Sequence, residues 1–282
     1  MTASNDTAST LCFPDLPPVH TLAADELQRV ARDDVQRMAA GTLLATVVRG
    51  FLSATLVARV LEAIDAPSSG FPETRPPVLR GVVYGRPLVA AGDVLDGYLD
   101  DASRFSDACA RIFGTRPSLE ARLAAALGSL STRPTRLARD EGRDYGCATI
   151  RHLVEGDRIP MHYENETLDR PVMRRLRPRL DDAALLSFVV SIAGASQGGE
   201  LRIYPGHHDT LGDHFIPRSG GDEGARRVLD RGSVTIDLAA GDLVVFDGGR
   251  YYHEVTQVHG ARITLGGFMA PTRDGSEVLF WG

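Results

Sequence analysis

From about residue 144 to its end the chain is written in short β-rich runs, each closed by glycine, proline or aspartate. They read CATIRHLVEG, ALLSFVVSIA, GGELRIYP, SVTIDLAAGDLVVFDGG, YYHEVTQV, RITLGGFMA and EVLFWG. Many short strands separated by frequent turn signals point to an antiparallel sandwich or barrel. The segment from Pro205 to Gly232 breaks this texture. It holds GHHDTLGDHF and RSGGDEGARR without a clean period. A loop of that length reads as an insertion between strands, near one mouth of the β core.

The first half has a different texture. Residues 1–22 are rich in Thr, Ser, Asp and Pro and read as a mobile arm. AADELQRVARDDVQRMAA carries apolar residues at helical spacing with acids near its start, so a helix is expected. LLATVVRGFL is β-branched and bounded by Gly50, which predicts a short strand. SATLVARVLEAI follows with Ser53 as its N-cap, and DVLDGYLDDASRFSDACARIF and SLEARLAAALGSL predict two more helices. No repeat and no linker is visible. The expected fold is therefore α+β, one domain over residues 23–282, mainly helical over 23–143 with a β core over 144–282.

The length of 282 residues is enough to bury a sizeable core. No run approaches the roughly 20 apolar residues of a membrane span. The start of the chain lacks a basic stretch followed by an apolar one, so no secretory signal is expected. Cys12, Cys109 and Cys147 are too scattered for a disulfide framework or a zinc knuckle. These features set a reducing cytoplasm as the expected location. A net charge of −6 argues against a nucleic acid polymer as partner. All 31 basic residues are arginine, which removes Schiff-base and P-loop lysine chemistry.

MHYENET holds His162 and Glu164 two positions apart. In a strand that spacing puts both side chains on one face. Glu166, at i+4, lies about 6 to 7 Å further along. Two histidines and a carboxylate on one face suit non-haem Fe(II) and leave positions open for co-substrate and oxygen. The best second histidine is His253, which follows GDLVVFDGGRYY. Nine residues on, Arg262 opens RITLGGF, where a guanidinium can hold a carboxylate through two hydrogen bonds. Either half of this set is common by chance, and His207, His208 and His214 in the long segment form an alternative cluster.

The order of features resembles the Fe(II)/2-oxoglutarate-dependent oxygenases: a strand, His-x-carboxylate, GGEL, GDLVVFDG, His, then Arg before a terminal strand. The resemblance is closer still to the carrier-independent branch, the welwitindolinone/hapalindole-type halogenases with the N-acyl amino acid hydroxylases as relatives. ATIRHLVEGDRI, GGELRIY, GDLVVFDGGRYYHEV, TLGGFMA and LFWG carry it, with VVRGFL and ARIFG in the first half. It implies a double-stranded β-helix, or jelly roll, with Fe(II) held by His162, Glu164 and His253. It implies 2-oxoglutarate as co-substrate, its far carboxylate on Arg262 with Thr264 beside it, and O2 as oxidant. In those halogenases the carboxylate position is glycine or alanine and halide binds iron there. Glu164 fills that vacancy, so the expected reaction is hydroxylation of an unactivated C–H bond, with desaturation or ring closure as variants of it. A halogenase whose Glu164 swings off iron, and a non-catalytic jelly-roll binding protein, are the competing readings.

The expected substrate is a freestanding small molecule such as an amino-acid derivative or a nucleotide. LDRPVMRRLRPRLDD carries five arginines, and Arg174 and Arg175 with Arg179 can meet on one helical face to receive an anion. The alternative is a solvated helix paired with Asp181 and Asp182. Arg151 and His152 are adjacent on a core strand, so one of them points inward, toward 2-oxoglutarate or substrate. Tyr163 should point away from the metal face. A homodimer stays open.

Overall fold

The computed structural model describes residues 15–27, 29, 32–66, 70–181, 183–207 and 232–282. Its strands used below are β1 (Val19–Ala23), β2 (Ala45–Arg49), β3 (Val82–Tyr84), β4 (Thr149–Leu153), β5 (Ile159–His162) and β6 (Leu186–Ala193). The rest are β7 (Leu201–His207), β8 (Val234–Ile236), β9 (Leu243–Phe246), β10 (Tyr251–Val255), β11 (Arg262–Pro271) and β12 (Val278–Trp281). The helices are α1 (Asp34–Ala39), α2 (Ala54–Asp65), α3 (Leu95–Phe113) and α4 (Leu119–Ser129).

The larger sheet runs β1-β2-β9-β6-β11-β4-β3, with β12 paired to the far end of β11. The smaller sheet runs β8-β7-β10-β5. Val47, Val244 and Phe246 of the larger sheet pack on Leu201, Ile203, Ile236 and Tyr251 of the smaller one. The opposite face of the larger sheet packs Val190, Val245 and Leu265 against Val60 of α2, Phe105 of α3 and Leu123 of α4. Covering both faces explains why the central strands read as nearly unbroken apolar runs. Two sheets face to face, backed by helices, are the jelly roll with N-terminal helices that the sequence implied.

Ser53 caps α2 by accepting from the Leu56 N–H, and Ser118 caps α4 by accepting from the Ala121 N–H at 3.1 Å. Four expectations need correction. The arm drawn over residues 1–22 ends too late, because Val19–Ala23 pairs in parallel with β2; residues 1–14 lie outside the described residues. The helix expected over 23–40 is a 3-10 turn at Ala24–Glu26 and the short α1, with residues 28, 30 and 31 outside the described set. The arginine-rich stretch is not one α-helix but successive 3-10 turns, which Pro171 and Pro178 interrupt. The division at residue 143 is not a division in space, since β1, β2 and β3 belong to the same sheet as β6 and β11. Of the insertion drawn over 205–232, residues 208–231 lie outside the described residues.

Candidate active site

β5 and β10 are neighbours in the smaller sheet, in a register that sets His162 beside His253. Their ring centroids are 4.3 Å apart. Glu164 does not sit in the strand, as expected, but at the start of a 3-10 helix. It reaches the same face because Tyr163 stays extended (φ −134°, ψ 148°) and the Glu164 N–H donates to the Gly248 carbonyl at 2.8 Å. Glu164 Oε1 lies 3.4 Å from His162 Nε2 and 3.6 Å from His253 Nε2. Tyr163 packs with Met161, Tyr204 and Tyr252 on the other side of the sheet, as the alternation requires.

The turn before β10 fixes His253. Asp247 accepts from the Arg250 N–H and its Nε at 3.2 and 2.7 Å, and Arg250 reaches the Met38 carbonyl. Burial pushes the Asp247 carboxyl up to about 6, against the pull of Arg250. The two glycines are there for close approach. A Cβ on Gly248 would lie 2.6 Å from Ser187 Oγ and 3.2 Å from His253 Cε1, and one on Gly249 would lie 2.4 Å from Asn165 Oδ1.

The donor set fits a metal. His162 Nδ1 lies 2.8 Å from the Pro160 carbonyl and His253 Nδ1 lies 3.0 Å from the Tyr251 carbonyl. A carbonyl only accepts, so each Nδ1 carries the proton. Each ring then aims Nε2 at an acceptor-only carboxylate, and once Nε2 gives up its proton such a set is satisfied by a cation. Burial works against the Glu164 charge, yet the two imidazoles hold its carboxyl well below the usual carboxylate range. Burial and the neighbouring His162 pull the His253 imidazole down; burial also opposes charge on His162, but Glu164 leaves it raised. Among the described residues, His162, Glu164 and His253 are the one group placed to hold a metal ion. His208 and His214 lie outside the described residues, and His207 ends β7.

Opposite the triad, the larger sheet supplies much of the rest of a cleft. Arg262 and Thr264 point into it from β11, and Arg151 from β4, where it pairs in register with Thr264. His152 falls on the other side of β4 and does not line the cleft. Arg262 is 8% exposed, and burial, then Arg151, pulls its guanidinium down to about 10 while Glu200 opposes the shift. The Arg151 charge lowers both the Arg262 guanidinium and the His162 imidazole. Val189, Phe246 and Phe268 make the apolar wall, whereas the Phe188 ring packs on the helix side of the larger sheet.

Arg174 and Arg175 are not brought to this cleft. They line a separate surface groove with Asp93 and Asp96, and Arg175 pairs with Asp140 at 3.0 Å and with Glu141. Ser187 was not expected. Its buried Oγ lines the cleft without a hydrogen-bond partner. A serine in an apolar strand offers no sequence signal; only the register of β6 against β9 and β11 turns it inward.

A family profile described as carrier-protein-independent halogenase WelO5 matches residues 20–282. The chain is similar to the crystal structure of an N-substituted L-amino acid dioxygenase from Burkholderia ambifaria AMMD, with a TM-score of 0.53 and 14% identity over 88% of this chain and 90% of that one. The complex of that dioxygenase with alpha-KG gives 0.51 and 17% over 88% and 90%. No curated protein matches the chain. At such identities the structural likeness speaks for the jelly roll alone, whereas the profile spans both the helical half and the sheet that carries the triad. The chain thus belongs to the WelO5 family of carrier-protein-independent halogenases and is an Fe(II)- and 2-oxoglutarate-dependent oxygenase.

Proposed function

We propose that the protein hydroxylates an unactivated C–H bond of a freestanding small molecule. The observation that carries this reading is Glu164, whose buried carboxylate faces both imidazoles and occupies the position where a halogenase of this branch has glycine or alanine. His162, Glu164 and His253 would hold Fe(II), and three protein ligands leave room for a chelating 2-oxo acid and oxygen. When bound, iron with 2-oxoglutarate and O2 supplies the oxidising power, and the 2-oxo acid leaves as succinate and carbon dioxide.

The chain's own residues bind and orient. Arg262 would take the far carboxylate of 2-oxoglutarate in a charge-assisted pair, with the Thr264 hydroxyl adding a hydrogen bond. Arg151 steadies the end nearer the metal. Val189, Phe246 and Phe268 exclude water and offer an apolar surface to the part of the substrate that reacts. Arg174 and Arg175 gain no support as substrate contacts from their place outside the cleft, so an anionic substrate is not required by them.

Halogenation is the second reading, and family membership favours it. It requires Glu164 to leave the metal. The test is aerobic turnover with 2-oxoglutarate and chloride over a panel of small substrates, N-substituted L-amino acids first because the structural neighbour acts on that class. Product gaining one oxygen, with loss of product in Glu164→Ala, is the expected outcome. A chlorine isotope pattern from the wild type would overturn hydroxylation in favour of halogenation.

A further inference from the structure

Arg262 borders two cavities. One is the cleft that holds the triad; the other is a rear cavity that shares only Leu201 and Arg262 with it. The turn from Gly194 to Gly199 lines this rear cavity together with Ile236 and Leu238. Arg262, with Leu201, therefore stands between the two spaces. It is 8% exposed and forms no ion pair with a described carboxylate.

The arm of Arg262 and its head are held differently. A Cβ on Gly199 (φ +72°) would lie 3.0 Å from Arg262 Cδ and 3.2 Å from Ala195 Cβ, so the methylenes run tightly past this turn. Glu200 lines the rear cavity and not the cleft, and its charge favours the guanidinium. A shift of the guanidinium toward the rear cavity, which Arg262 also lines, thus brings it toward an opposite charge.

We propose that Arg262 retreats into the rear cavity, so that the co-substrate subsite accepts a six-carbon 2-oxo dicarboxylic acid as well as 2-oxoglutarate. This rests on the assignment of Arg262 to the far carboxylate. One more methylene lengthens an extended diacid by roughly 1.3 Å, from a carbon–carbon bond of about 1.5 Å at the tetrahedral angle. A guanidinium backed by packed side chains cannot yield that distance. One backed by a cavity can, while keeping its two hydrogen bonds to the carboxylate.

The experiment is an anaerobic titration of the Fe(II)-loaded protein with 2-oxoglutarate and with 2-oxoadipate, read by the visible charge-transfer band of the bound 2-oxo acid. In the wild type the two dissociation constants should agree within tenfold. Ala195→Leu and Leu238→Trp add bulk at two residues that line the rear cavity. Each should weaken 2-oxoadipate at least tenfold while changing 2-oxoglutarate less than threefold. A wild type that binds 2-oxoadipate more than tenfold more weakly overturns the proposal, and so does a parallel shift of both acids in the filled variants. The wild-type comparison decides even where both variants misfold. No band with 2-oxoglutarate itself would instead remove the co-substrate assignment of the cleft.

Discussion

Glu164 stands two residues after His162, and that spacing was readable because strand alternation puts i and i+2 on one face. The strand in fact ends at His162; one more extended residue and a hydrogen bond to Gly248 preserve the relation. Arg151 and His152 show the limit of such reading. Both sit in β4, and only the pairing of Thr264 with Arg151 says which one faces the metal. Ser187 lay beyond reach, because its orientation depends on two neighbouring strands. At this scale the decisive variant is Glu164→Ala. Losing one of three converging acceptors should weaken metal binding by at least the roughly ten- to hundredfold that loss of an outer partner costs such a site. The vacated position should also admit halide, so chloride should shift the band of the 2-oxoglutarate chelate in the variant and leave the wild type unchanged. Competition against a metal indicator measures the first effect. Unchanged affinity would mean that Glu164 is a structural partner of the imidazoles.

Turns set the side chains that the strands carry. The Asp-Gly-Gly-Arg turn between β9 and β10 was visible as a glycine turn, but not the reason for its glycines. Gly248→Ala would drive a methyl group against Ser187 and His253, at a cost of about 1–3 kcal/mol for overpacking, and should weaken metal binding together with stability. A variant with normal metal affinity would show that His253 is positioned independently of this turn. A second fixing point is Asp157, 3% exposed, whose carboxylate accepts from the N–H groups of Arg80, Gly81 and Val154 at 2.8, 3.0 and 2.9 Å. Burial pushes its carboxyl up, but the three N–H groups win and hold it below its ordinary value of 3.8. A depressed folded value means stability that is present above the unfolded value and lost as pH falls through the folded one. Asp157→Ala should therefore cost about 1–3 kcal/mol at pH 7, the penalty for orphaned buried donors, and the difference from wild type should shrink below about pH 4. Urea unfolding at pH 7 and pH 3 measures both; a pH-independent difference would assign the loss to packing. None of this was legible, because a lone aspartate in EGDR signals only a turn. The arginine-rich run was misread for a related reason: its spacing suits an α-helix, but Pro171 and Pro178 tie it into 3-10 turns.

For the whole molecule, the two sheets divide the work. The smaller sheet and the turn after it carry His162, Glu164 and His253, and the larger one carries Arg151, Arg262 and Thr264. The two-sheet core was legible from the run of short strands, while the share taken by β1 and β2 was not, since parallel pairing of residues 19–23 with 45–49 leaves no local mark. This division predicts how ligands should stabilise the fold. A divalent metal alone touches only one sheet. On the proposed roles, a dicarboxylate alone would meet Arg262 but have nothing to chelate. Together they tie the sheets through one bridged ligand, so their effects on melting should exceed the sum of the separate effects. A ligand at a hundred times its dissociation constant adds about 2.7 kcal/mol. For a chain of this size that corresponds to a melting shift of several degrees, at roughly 2–4 °C per kcal/mol. Mn(II) in place of Fe(II) avoids oxidation during the scan. The expected pattern is a small shift with Mn(II), almost none with 2-oxoglutarate, and a larger one with both. Arg262→Gln should keep the Mn(II) shift and lose most of the synergy, because the chelating end stays bound while the anchor on the larger sheet is gone. Synergy that survives in Arg262→Gln would move the far-carboxylate anchor to another cation of the cleft, and Arg151 is the one that faces it.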